Sequence, residues 1–192
     1  MTNGQRCRYR EVVISKIVSG GQTGADRAAL DWAIDHGVPH GGWCPKGRLA
    51  EDGPIPARYQ LQEMPSKDYL RRTEQNIIDS DGTVIFTCLA KLTGGSKRTA
   101  EFAVKHSKPW LHVRAAEPMA VALEAVRAFV AAHGISALNV AGSRGSKEPE
   151  VGAFVRKVLS GALLNQFVHY ADGEERLHPA DGGPPPDNLL TG

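Results

Sequence analysis

Three stretches of the chain combine glycine, hydroxyl side chains and arginine at spacings suited to holding an oxyanion. The first, "SGGQTGADR", carries Gly20, Gly21, Gln22, Thr23, Gly24 and Arg27; the second, "LTGGSKRTAEF", carries Thr93, Gly94, Gly95, Ser96 and Thr99. The third, "AGSRGSKEPEV", carries Gly142, Ser143, Arg144 and Ser146. Glycines let the backbone approach a ligand closely, and the free amides at the start of a following helix favour negative charge. Arginine adds a planar fork that grips an oxyanion at two points, which favours Arg27 and Arg144 over neighbouring lysines. None of the stretches matches the dinucleotide or the Walker pattern, and one such turn alone is an ordinary tight turn. Three together imply an anion site that phosphate, carboxylate or molybdate would satisfy.

Other residues join this set by position. Arg72 and Asn76 are spaced i, i+4 and share one helix face with Thr73 between them, where they either reach a ligand or make a solvated face. In the segment "GVPHGGWCPKGRLAEDGPIPARY", Trp43 offers a flat face for stacking, and Lys46 and Arg48 are candidates for a pocket wall; equally, Trp43 is a core plug and the charges a rim. Cys7, Cys44 and Cys88 are far apart with no C-x-x-C, and His36 and His40 are separated by Gly37 and Pro39, so no protein-ligated metal is expected.

Positioning these groups requires a scaffold that brings the three loops to one edge. Five apolar runs read as strands: 14–18, 59–63, 83–87, 109–113 and 137–141. Helical spacing follows from Ala25 to Gly37, from Ser66 as N-cap to about Asp79, from near Lys97, from Pro118 to Gly134, and from Pro149 to Leu164. Alternation of strand and helix predicts an α/β fold, a Rossmann-like three-layer sandwich with a mainly parallel sheet and helices on both faces. Loops leaving the C-terminal ends of such strands share one edge, where ligands bind.

Composition narrows the function. Lys plus Arg number 23 against 21 Asp plus Glu, and the basic residues are scattered, so no nucleic-acid footprint is expected. No apolar window long enough for a membrane span exists and the N-terminal stretch is polar, so a cytoplasmic location is expected. A single domain over 13–168 is expected, with a flexible segment at 1–12. The Pro- and Gly-rich residues 169–192 are expected to be disordered. The segment at 38–59 is long for a connection, and a lid is one use for it.

The motifs "SGGQTGADRAALDWA", "GGWCPKGRLAEDGPIPARYQL", "YLRRTEQNIIDSDGTVIF", "LTGGSKRTAEFA" and "NVAGSRGSK" together resemble the family named putative molybdenum carrier, a circularly permuted YpsA-like branch of the SLOG superfamily. The resemblance spans about residues 16–164. It implies a homo-oligomeric carrier of molybdenum cofactor, a phosphate-bearing pterin, or of a related nucleotide-like ligand, with molybdoenzymes as recipients. A related branch, the LOG proteins, hydrolyses nucleoside monophosphates with the signature P-G-G-x-G-T-x-x-E. Here "TGGSKRTAE" keeps the double glycine and Glu101, but Thr93 replaces Pro and Arg98 stands where Thr belongs. Phosphate binding carries over; Glu101 as acid/base belongs only to a hydrolase alternative. A nucleotide-sensing module is a further alternative for the same pocket.

Overall fold

A computed structural model describes residues 13–89 and 91–164. The expected flexible segment at 1–12 and the expected tail at 169–192 lie outside the described residues.

Elements follow in the order β1 (Lys16–Val18), α1 (Ala25–Asp35), β2 (His40–Gly41), β3 (Trp43–Cys44), β4 (Leu49–Ala50), β5 (Gly53–Pro54) and β6 (Gln62–Glu63). Then come α2 (Tyr69–Ile78), β7 (Gly82–Thr87), α3 (Gly94–Lys105), β8 (Trp110–Arg114), α4 (Met119–His133), β9 (Ala137–Gly142) and α5 (Val151–Leu163). The main sheet has the order β2-β1-β9-β7-β8 and every neighbouring pair in it is parallel. Every residue of β7 is buried, as expected for a central strand covered on both faces.

Alternation along the strands sorts the layers. Val84, Phe86, Leu138 and Val140 point into the main core with Trp32, Val126, Val130, Val155 and Leu159, so α1, α4 and α5 cover one face. Thr83, Ile85, Thr87 and Asn139 point to the opposite face, where α2 and α3 pack together. The fold is therefore the expected Rossmann-like α/β sandwich.

Three expectations need correction. The run at 59–63 is not a strand of the main sheet: only Gln62–Glu63 is extended, paired in parallel with Trp43–Cys44, and the edge strand is His40–Gly41. Tyr59 and Leu61 are apolar for another reason, since they fill a second small core with Leu30, Cys44 and Ile55. Helix α2 is capped by Asp68 rather than Ser66. Its carboxylate accepts from the Leu70 amide at 2.8 Å and the Arg71 amide at 3.4 Å, while Ser66 only accepts from the Asp68 amide. Helix α3 starts at Gly94 rather than near Lys97, which makes the double glycine part of its first turn.

The chain runs from β1 outward to β2 and from β7 outward to β8, with β9 inserted between β1 and β7. That reversal is the switch point where a crevice opens above the C-terminal strand ends.

Candidate functional site

At that switch point lies a cleft of about 300 Å³. It is walled by the loop after β1, the inner face of α2, the first turns of α3 and the end of β9 with its following loop. Of the residues expected from sequence, Gly20, Gln22, Arg72, Asn76, Thr93, Gly95, Ser96, Thr99, Gly142, Ser143 and Arg144 all line it. The three glycine-rich loops thus do meet at one edge.

The floor is a buried ion pair. Arg72 Nη1 lies 3.4 Å from Asp26 Oδ2, and both residues are under a tenth exposed. The Asp26 carboxylate also accepts from the Gln22 amide at 3.3 Å. Burial pushes the Asp26 carboxyl above its ordinary range, against the pull of the Arg72 guanidinium. Gly20 makes the pair possible: a Cβ there would stand 1.5 Å from Arg72 Nη1. Two buried atoms at this floor, Arg72 Nε and Gln22 Oε1, find no hydrogen-bond partner among the described residues.

One wall is the start of α3. Thr93 makes no side-chain capping bond, so the first-turn amides retain their capacity for an anion, and Gly95 and Ser96 line the cleft there. Three cations share this cleft. Arg98, Arg144 and Lys147 all border the cleft, and Lys147 makes no ion pair among the described residues. Arg98 is shared with Glu101 at 2.8 Å, outside the cleft lining.

The remaining expected residues lie elsewhere. The turn between β4 and β5 brings the chain's own carboxylates against the outer sides of two glycine loops. Glu51 accepts from the Thr23 hydroxyl, from the Ser146 amide at 3.2 Å and from the Ser146 hydroxyl at 2.6 Å, with Arg144 at 4.0 Å. These hydrogen bonds, from Ser146 and then Thr23, hold the Glu51 carboxyl below its ordinary range. Arg27 grips Asp52 through both guanidinium nitrogens and lowers its pKa by that hydrogen bonding. Gly24 and Gly145 meet so closely that a Cβ on Gly24, whose φ is 79°, would lie 2.6 Å from the Gly145 nitrogen. Gly21, Thr23, Gly24, Arg27, Gly94 and Ser146 are not among the residues lining the cleft, and the side chains of Thr23, Arg27 and Ser146 are engaged by the chain's own carboxylates.

The long segment is also tied down. Arg48 donates to the carbonyls of Ile55, Pro56, Tyr59 and Leu61 at 2.9 to 3.1 Å, which folds the segment around its guanidinium. Trp43 donates from its indole to Asp79 at 2.6 Å and borders a separate small cavity with Lys16 and Gln62. Lys46 is exposed. Asn76 lines the cleft, yet its amide oxygen accepts from the Trp43 amide at 2.7 Å and its amide nitrogen donates to the Trp43 carbonyl at 3.2 Å. These two bonds fix β3 against α2 and leave the amide one donor and one acceptor position.

Sequence reasoning missed Tyr69, Leu70, Leu89, Asn139, Lys147 and Glu148, all of which line the cleft. Lys147 and Glu148 lie within the third stretch itself, directly after Ser146, and that adjacency was the available signal. Asn139 donates to Thr83 at 3.0 Å across the β9–β7 ladder. Glu148 is buried and accepts from the Cys88 amide. Among the described residues no group of three or more His, Cys, Asp and Glu is placed to hold a metal ion.

The profile of the circularly permutated YpsA SLOG family matches residues 17–163. The chain belongs to this family. The match runs from within β1 to the end of α5, so all three glycine loops of this YpsA SLOG protein fall inside it. A solved relative is the crystal structure of "Putative molybdenum carrier protein" from Syntrophus aciditrophicus SB at 1.45 Å resolution. It is 49% identical, covers 79% of this chain and 96% of its own, and superposes with a TM-score of 0.77. No curated protein matches the chain.

Proposed function

We infer that this YpsA SLOG protein is a small-molecule carrier that holds the phosphate of molybdenum cofactor, or of a related nucleotide-like ligand, at the start of α3. The observation that carries this reading is the uncapped first turn of α3, opening on a cleft that Arg98, Arg144 and Lys147 also border. A volume of about 300 Å³ lies at the lower end of the range of small-molecule sites. The name of the solved relative, a molybdenum carrier, supports a cargo that bears molybdenum. The reading extends to a cytoplasmic homo-oligomer that passes cofactor to molybdoenzymes.

The hydrolase alternative places Glu101 beside the ligand as acid/base. Glu101 is instead exposed, engaged with Arg98, and absent from the cleft lining, which favours the carrier. Protein purified from cells that make molybdenum cofactor is expected to release a fluorescent pterin on acid oxidation. Release of none, together with no uptake of added cofactor, would exclude the carrier reading.

A further inference from the structure

Three large apolar side chains at the mouth of the cleft have no part in the phosphate site. Tyr69 is 37% exposed, Leu70 is 46% exposed and Leu89 is 55% exposed, yet all three line the cleft. Tyr69 and Leu70 come from the first turn of α2, and Leu89 from the loop after β7, so they stand on separate elements flanking one opening. Leaving this much apolar surface in water has a cost that burial against a ligand would recover.

The ring of Tyr69 is held in place. The guanidinium of Arg144 lies 5.6 Å from its centroid, a cation–π contact that orients the ring without covering the whole side chain. Arg144 thereby joins two functions at one point, since it borders the anion wall and steadies the aromatic ring. Inorganic phosphate or a sugar phosphate would use the anion wall and leave the apolar lip wet. A ligand that carries both a phosphate and a flat aromatic ring would use both.

We propose that Tyr69, with Leu70 and Leu89, forms a ring-binding lip that selects phosphate esters bearing a planar aromatic heterocycle over simple phosphates. This rests on the reading of the cleft as a phosphate site. Stacking on an aromatic side chain tolerates different heterocycles because each presents a π-face, so the selection is for flatness rather than for one base.

The test compares AMP and FMN with ribose 5-phosphate by calorimetry on the full chain, wild type and two variants. Wild type is expected to bind both aromatic esters about tenfold tighter than ribose 5-phosphate. Tyr69→Ala is expected to abolish that gain while leaving ribose 5-phosphate affinity within about twofold, and Tyr69→Phe to keep it. Because Tyr69 is part exposed at a helix start, Tyr69→Ala should retain the wild-type circular dichroism spectrum. Equal affinity of wild type for all three probes, or equal weakening of all three in Tyr69→Ala, overturns the lip and leaves the phosphate site standing. Binding of none of the three overturns both.

Discussion

Replacing Arg72 by Met isolates the buried pair on which the cleft floor is built. The change keeps side-chain bulk but leaves the Asp26 carboxylate, 6% exposed, with the Gln22 amide and no opposing charge at 3.4 Å. Removing one partner of a buried ion pair costs about 3 to 5 kcal/mol, because the other charge stays desolvated. For a domain of this size each kcal/mol lowers Tm by roughly 2 to 4 °C, so the loss is about 6 to 20 °C near neutral pH. The sign of the pH dependence follows from Asp26. Its folded pKa already lies above the unfolded value through burial, so the folded protein holds more protons in the window between the two. This group therefore weakens the fold as pH rises through that window, and loss of Arg72 extends the window upward. Chemical denaturation at about pH 7 and about pH 5 should show the deficit of Arg72→Met shrinking on acidification. Adding Asp26→Asn should restore about half or more of the stability, since the stranded charge is gone. A double variant no more stable than Arg72→Met, with a deficit independent of pH, would refute the reasoning.

Gly20→Ala should act through the same pair: with a Cβ 1.5 Å from Arg72 Nη1, the guanidinium must leave, and thermal denaturation should show a loss comparable to Arg72→Met and little further loss when the two are combined. Glu51→Ala should free the β4–β5 turn, seen as faster tryptic cleavage between Arg48 and Arg58. The wild-type contribution of Glu51, whose pKa is lowered, should be present above the ordinary carboxylate range and fade as pH falls through the lowered value. Glu101→Ala should leave phosphate-ester affinity within about twofold of wild type by calorimetry, because the carboxylate stands outside the cleft.

The parallel sheet and the meeting of the three loops could be read from sequence because strand–helix alternation and glycine punctuation are local patterns. The roles inside the loops could not. Thr23, Arg27 and Ser146 have the same chemistry whether they face a ligand or the chain's own Glu51 and Asp52, and only tertiary placement of the β4–β5 turn decides. Arg48 is a further instance, a cation whose partners are four backbone carbonyls brought together by the fold. Tyr59 and Leu61 alternate as a strand would, yet the same spacing serves a small core beside α1. In sequence Asp26 stands next to Arg27 at the start of a helix, and nothing local shows Arg72 arriving from a helix 46 residues later. Tyr69 opens one of the quoted motifs and Leu89 lies in none, yet neither has a chemistry that marks it in sequence, and their meaning comes from standing at one opening.

The central claim is that an anion sits on the first turn of α3, and amide nitrogen–proton correlation spectra during titration with inorganic phosphate test it most directly. The account predicts saturable shifts at the Gly95 and Ser96 amides, with smaller shifts at Ser143 and Arg144 and none at Gly37, which lies at the far end of α1. Shifts that spare Gly95 and Ser96, or that rise without saturation across the whole surface, would contradict it.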